Sequence, residues 1–173
     1  MTFLPPLSLY IHIPWCIQKC PYCDFNSHAV KETLPEQRYV ETLLTDLEQD
    51  LDFFNITRPI QSIFIGGGTP SLFSPQALDD LLTGIRQRTN LETSAEITLE
   101  ANPGTAESHK FAEFKNLGIN RLSLGIQIFN DSHLKKLGRI HDSKQALTAV
   151  EIAQKAGYSN FNLDLMFGLP QQT

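Results

Sequence analysis

Apolar residues along this chain switch repeatedly between a period of two and a period of three to four. Leu9-Tyr10-Ile11-His12-Ile13 reads as a strand. Pro35 opens a helical stretch in which Tyr39, Val40, Leu43, Leu44, Leu47, Leu51 and Phe54 recur at helical spacing. Ile60 to Ile65 is a short apolar strand followed by Gly66-Gly67-Gly68. Ser74 then Pro75 predicts a helix start: a capping hydroxyl, then a proline where no N–H is needed. Leu78, Leu81, Leu82 and Ile85 form that helix's apolar face. Ala95 to Ala101 predicts a third strand. Thr105 is the expected cap of a helix carrying Phe111, Phe114 and Leu117 and ending at Gly118. Arg121 to Ile126 predicts a fourth strand. Asn130 predicts the cap of a short helix, and Ser143 the cap of a longer one ending at Gly157. Asn160 to Leu165 predicts a fifth strand, followed by Gly168-Leu169-Pro170.

Strands alternating with helices imply an α/β fold with parallel strands and crossover helices. Two architectures satisfy the pattern: an open doubly wound sheet, or part of a (β/α) barrel. Both place a site at the carboxyl ends of the strands. The fifth strand has no helix after it, so the chain reads as about five βα units of a fold that stops partway.

Composition narrows the class. The 173 residues, 41% hydrophobic and 19% charged, fit one globular domain rather than a disordered, collagen-like or coiled-coil chain. Against 19 Asp+Glu there are 14 Lys+Arg, a net charge of −5, and no basic footprint for nucleic acid. No apolar run reaches the ~20 residues of a spanning helix. Met1 to Pro6 lacks the basic flank and apolar run of a secretory signal. The expectation is a cytoplasmic protein with no transmembrane segment and no nucleic-acid partner.

The cysteines change the picture most. All three, Cys16, Cys20 and Cys23, lie in a C-x3-C-x2-C run just after the first strand. An odd, clustered count is not a secreted disulfide framework. Buried structural thiols are a weak alternative, because the three share one loop. Three thiolates can hold an iron–sulfur cubane with one iron left open. With His28 they could instead form a Cys3His zinc site, and spacing alone does not separate the two metals.

The strand ends carry polar groups. Gly66-Gly67-Gly68-Thr69 lets backbone approach a ligand closely. It lacks the Lys-Ser/Thr of a phosphate loop and the dinucleotide glycine pattern, so a plain tight turn is its competing reading. In the third strand Ile97, Leu99 and Ala101 face one way and Thr98, Glu100 and Asn102 the other. Asn162 and Asp164 stand opposite Phe161, Leu163 and Leu165 in the same manner. Each acid alone fits a rim salt bridge or helix cap. Together with Gln127 they predict one polar pocket at the strand tops. His12 reads as a strand histidine, and His28, His109, His133 and His141 as surface or capping residues. Trp15 reads as packing that shields the cysteines, and Lys135-Lys136 as a solvated helix face.

Tyr10-x-His12-x-Pro14-x-Cys16-x3-Cys20-Pro21-Tyr22-Cys23 closely resembles the opening of radical S-adenosylmethionine (radical SAM) enzymes. The likeness continues in Gly66-Gly67-Gly68-Thr69-Pro70, Glu100-Ala101-Asn102-Pro103-Gly104, Arg121 to Gln127 and Asn162 to Pro170. These segments resemble the group related to oxygen-independent coproporphyrinogen III oxidase. Cys23-Asp24-Phe25-Asn26-Ser27 and Leu137-Gly138-Arg139-Ile140-His141 resemble its heme-chaperone branch in particular.

The resemblance implies a partial (β/α)6 barrel over residues 1–173, with the family's sixth strand and C-terminal domain lacking. It implies a [4Fe–4S] cluster on Cys16, Cys20 and Cys23, with S-adenosyl-L-methionine (SAM) chelating the fourth iron. An electron from that cluster splits a carbon–sulfur bond to give methionine and a 5′-deoxyadenosyl radical. Gly67, Gly68 and Thr69 would take the methionine amino group. Glu100, Gln127, Arg139 and Asp164 would contact SAM, with Tyr10 and Tyr22 beside it. No catalytic residue is assigned, and His141 is given no role. The implied partners are heme as cargo, heme-accepting apo-proteins, an electron donor and a second copy in a homodimer. The alternatives are a coproporphyrinogen-oxidising radical enzyme or a metal-bearing structural module.

Overall fold

The structure, a computed structural model, describes residues 4–104 and 108–172. The expected cap Thr105 lies outside the described residues. In chain order the elements are β1 (Leu7–Ile13), β2 (Trp15–Cys16), β3 (His28–Ala29), α1 (Glu36–Phe53), β4 (Ile60–Gly67), a 3-10 turn (Pro70–Leu72), α2 (Pro75–Arg88) and β5 (Leu91–Ala101). They continue with α3 (Phe111–Asn116), β6 (Arg121–Gln127), α4 (Asp131–Lys136), α5 (Ser143–Lys155) and β7 (Phe161–Leu165).

Five strands form one parallel sheet in the order β1-β4-β5-β6-β7. Strand order follows chain order without reversal. A doubly wound sheet reverses at a switch point, so the winding is that of a (β/α) barrel wall. Right-handed crossovers then put the helices on one face. That face is the apolar one: Ile11, Ile63, Ile97, Leu99, Leu122 and Leu124 are buried against α1, α2 and their neighbours. Fully buried Phe73, Phe111 and Phe114 fill the space between sheet and helices.

The opposite sheet face is polar, which is unusual for parallel strands. Thr98 pairs in register with Arg121, Glu100 with Ser123, and Ser123 with Asn162. Hydrogen bonds run across this face: Arg121 donates to Thr98 Oγ1 over 3.2 Å, and Ser123 to Asp164 Oδ1 over 3.2 Å. The alternation read from the third strand is therefore real, and it recurs in the neighbouring strands.

Helix starts follow local chemistry. The Ser74 hydroxyl accepts the Ala77 N–H, and Asn130 Oδ1 accepts from Ser132 and His133. For the last helix the cap is Asp142, one residue before the expected Ser143. Asp142 accepts the Gln145 N–H while the Gln145 side chain accepts the Asp142 N–H, closing a capping box. A carboxylate with a Gln three residues on satisfies two orphan donors, which the Ser143 hydroxyl could not do. Ser143 is the first helical residue, and its N–H donates to Asp131 instead.

Candidate functional site

A cavity of about 480 Å³ opens at the carboxyl ends of the strands. Its walls are the loop after β1, the Gly67–Thr69 turn after β4, and the ends of β5, β6 and β7. Of the residues expected at a site, Cys16, Cys20, Cys23, Tyr22, Gly67, Gly68, Thr69, Glu100, Gln127, Arg139 and Asp164 all line it. Tyr10 stands apart. It sits lower on β1, its ring stacked on Phe64 at 6.2 Å and its hydroxyl 3.0 Å from His12 Nδ1.

The cysteine loop is closed at its base by the ribbon of β2 and β3. His28 N–H donates to the Pro14 carbonyl over 2.7 Å, and Val30 N–H to Cys16 over 2.8 Å. Inside the loop, Lys19 Nζ donates to the carbonyls of Phe25 and Ser27. The loop docks on the 138–139 segment, where Gly138 (φ 68°) has space for a hydrogen only, because a Cβ would lie 2.7 Å from Pro21. The three thiols are free; Cys16 is buried and the other two partly exposed. Among the described residues no three His, Cys, Asp or Glu side chains converge as the shell of one metal ion. His28 is exposed on the ribbon. That arrangement does not make the Cys3His shell open to the sequence.

Trp15 packs edge-on to Tyr39 at 4.7 Å and against Phe73 at 5.9 Å, as core packing beneath the loop. The glycine turn is held tightly. Gly68 N–H donates to Ile13 and Thr69 N–H to Trp15, each over 2.7 Å, and Gly67 N–H donates to Glu100 Oε2 over 3.0 Å. With all three N–H groups engaged inside the protein, the turn offers a ligand carbonyl oxygen, which suits a cation such as an ammonium. Gly67 has φ 116°, and a Cβ there would lie 2.7 Å from the His12 ring.

Charge is divided across the cavity. On one wall, burial pushes the Glu100 carboxyl above the ordinary carboxylate range; the Gly67 N–H opposes this, Asp164 adds to it and His12 opposes it. On the other, Arg139 Nη2 donates to Asn102 Oδ1 over 2.6 Å and to the Gly125 carbonyl over 2.7 Å, and Nη1 lies 3.6 Å from Cys20 Sγ. Arg139 Nε is buried and without a hydrogen-bond partner among the described residues, and no carboxylate there pairs with this guanidinium. Burial raises the Tyr22 phenol, with Arg139 pulling the other way and Cys20 adding to the rise.

Three contributors were not singled out from sequence. Asn102 bridges Arg139 to Thr69, donating to Thr69 Oγ1 over 2.9 Å. Its signal was present, as it shares the face of Glu100. Ser123 holds Asp164; a lone serine in an apolar strand was the only hint. His141, expected at the surface or as a cap, is 4% exposed. Its ring is buried because it reaches the Ile126 carbonyl at the end of β6, 3.2 Å away.

The polar face inside a singly wound parallel wall, with a three-thiol loop at its top, defines the class. The chain belongs to the Radical SAM superfamily, whose profile matches residues 10–173. It is 57% identical over 176 residues to "Heme chaperone HemW" of Haemophilus influenzae, and 54% identical over 173 residues to that of Escherichia coli. Both alignments take in 100% of this chain and 46% of the relative, so the chain spans about half the length of the curated relatives it matches. The solved coproporphyrinogen III oxidase (HemN) of Escherichia coli, described as a radical SAM enzyme, superposes with a TM-score of 0.81 at 30% identity. That superposition covers 97% of this chain and 38% of the oxidase. No helix among the described residues is long and apolar enough to cross a membrane.

Proposed function

We propose that this chain is the cluster- and SAM-binding portion of a heme chaperone. One observation carries the ligand part. Three unpaired thiols and a guanidinium without a carboxylate partner meet on one wall of a cavity whose other wall presents Glu100 and Asp164. Three thiolates are a soft donor set suited to iron and sulfide. A cubane would take each of the three thiolates on a different iron. When bound, the cluster supplies a single electron to the sulfonium of SAM. The residues do the holding. Arg139 supplies positive charge to a carboxylate; its Nη2 hydrogens are taken by Asn102 and Gly125 and its Nε is buried, so contact would come through Nη1. The Gly67 and Gly68 carbonyls would accept from an ammonium, that of Thr69 already accepting the Leu72 N–H. Glu100, Gln127 and Asp164 accept from ribose hydroxyls. Tyr22 lines the cysteine side, and Tyr10 lies outside the cavity, lower on β1 beside Phe64.

The heme part rests on the two HemW relatives and on Phe25. The oxidase branch carries a further cysteine two positions after the third cluster cysteine. Phe25 occupies that position here and lines the cavity, 62% exposed. It cannot supply a thiolate. Heme would be cargo passed to apo-proteins, and a homodimer would be the working form. The test joins this chain to the remaining length of a HemW relative. Hemin should bind with a shift of its Soret band, and anaerobic reduction with SAM should yield no protoporphyrinogen. Protoporphyrinogen formation would favour the oxidase, and a silent Soret band would remove the chaperone.

A further inference from the structure

His141 is buried next to the cavity but does not line it. Its acceptor is a carbonyl, so Nε2 carries the proton and donates to Ile126 over 3.2 Å. The same carbonyl accepts the Ile128 N–H over 2.9 Å. A bond from residue i+2 back to residue i closes a γ-turn, here centred on Gln127. Gln127 has φ 69°, the rare and strained form of that turn, and it carries a side chain where glycine would be at ease. Strained backbone persists only where its surroundings over-determine it.

The surroundings do so here. Arg139 donates to the Gly125 carbonyl and His141 to the Ile126 carbonyl, so alternate residues of one segment grip successive carbonyls of β6. Met166 N–H, just past β7, grips the Gln127 carbonyl over 2.9 Å. The ladder also slips at this point: Leu124 pairs with Leu163, then Gln127 with Leu165. That extra residue in β6 is a bulge, a device that re-aims a side chain. The side chain concerned is Gln127. A Cβ on Gly125 would lie 3.1 Å from Gln127 Nε2 and 3.3 Å from Arg139 Nη2, so the Gln127 amide lies over Gly125 beside the guanidinium. Burial, with help from Arg139, pushes the His141 pKa down to about 4, so the ring stays a neutral single donor.

We infer that His141 is a positioning residue that clamps the Ile126 carbonyl and so holds the strained turn presenting Gln127 to the cavity. Its ligand readout rests on the SAM reading above; the clamp itself is measurable without ligand. The experiment reads amide hydrogen exchange by mass spectrometry across 126–129, and SAM affinity by equilibrium dialysis, on the reconstituted chain. A Gln amide nitrogen reaches the place of Nε2, whereas an Asn amide nitrogen reaches only that of Nδ1. His141→Gln should keep exchange protection and affinity. His141→Asn and His141→Phe should lose about tenfold in protection and about tenfold in SAM affinity, with iron content unchanged. Adding Gln127→Gly to His141→Phe should restore protection, since glycine adopts positive φ freely, but not affinity. Equal behaviour of the Gln and Asn variants, or unchanged protection in His141→Phe, would overturn the inference. Absence of SAM binding by the parent chain would remove the SAM reading, and the exchange pattern would still decide the clamp.

Discussion

Gly68→Ala is the sharpest perturbation of the cavity floor. A Cβ there would lie 2.6 Å from the Trp15 carbonyl oxygen and 2.9 Å from the Pro14 carbonyl carbon. Both are backbone atoms just before Cys16, so no flexible side chain can swing away. Either the glycine turn retreats or the start of the cysteine loop is pushed out. An added methyl in a packed site costs about 1–3 kcal/mol. Two bonds share the contact, Gly68 N–H to Ile13 and Thr69 N–H to Trp15, and losing one costs about 0.5–1.5 kcal/mol. The sum is about 1.5–4.5 kcal/mol, which for a chain of this size lowers Tm by about 3–18 °C. Gly157→Ala is the control. Nothing lies within 4 Å of a Cβ at Gly157, and only its φ of 87° is unfavourable, costing about 1–2 kcal/mol. Thermal melts followed by circular dichroism give Tm, and iron analysis after anaerobic reconstitution gives cluster content. Gly68→Ala should lose both stability and iron, and Gly157→Ala a little stability only. Equal melting of the two variants with full iron in Gly68→Ala would refute the close packing of turn against loop.

Glu100→Gln should raise Tm at neutral pH. The folded pKa of Glu100 is raised, so its stabilising, protonated state is fully present below the ordinary carboxylate pKa and is lost as pH rises through the raised value. The variant should therefore flatten that part of the Tm-against-pH curve, while SAM binding weakens. His141 acts in the opposite direction. Its pKa is lowered to about 4, so its contribution is present above the ordinary imidazole value and lost as pH falls toward about 4; His141→Gln should flatten this acid limb. The isolated chain should self-associate in size-exclusion chromatography. Among the described residues β1 and β7 pair on one side only, and Leu165 and Phe167 are 62% and 92% exposed beside the β7 edge; unpaired edges and apolar patches promote association. A sharply melting monomer would contradict this.

Much of the wall was legible because the alternation in Ile97 to Asn102 and in Phe161 to Leu165 is strict, and each strand is flanked by turn residues. The hydrophobic pattern alone left open sheet and barrel wall undecided, and the family resemblance of the cysteine and glycine motifs chose the barrel. Both share the βαβ pattern, and the unreversed order, with β4 pairing β5 and β5 pairing β6, decides it. Cys16, Cys20 and Cys23 announced themselves by spacing. His141 did not. Its burial depends on the Ile126 carbonyl at a bulge in β6, and nothing in the pattern from Arg121 to Gln127 marks an extra residue there. The missed cap at Asp142 has a similar cause. Asp and Ser are near-equal caps in sequence, and the Gln145 partner tips the choice.

The central claim is that Cys16, Cys20 and Cys23 hold a cubane whose open iron meets SAM in the cavity beside Arg139. Anaerobic reconstitution with iron and sulfide, followed by electron paramagnetic resonance of the reduced chain with and without SAM, tests it most directly. The parent chain should take up about four iron atoms and show a signal that changes when SAM is added. Cys20→Ala should lose nearly all of that iron, and zinc alone should give no colour. A full cubane in the triple alanine variant, or a signal indifferent to SAM in the parent chain, would contradict the claim.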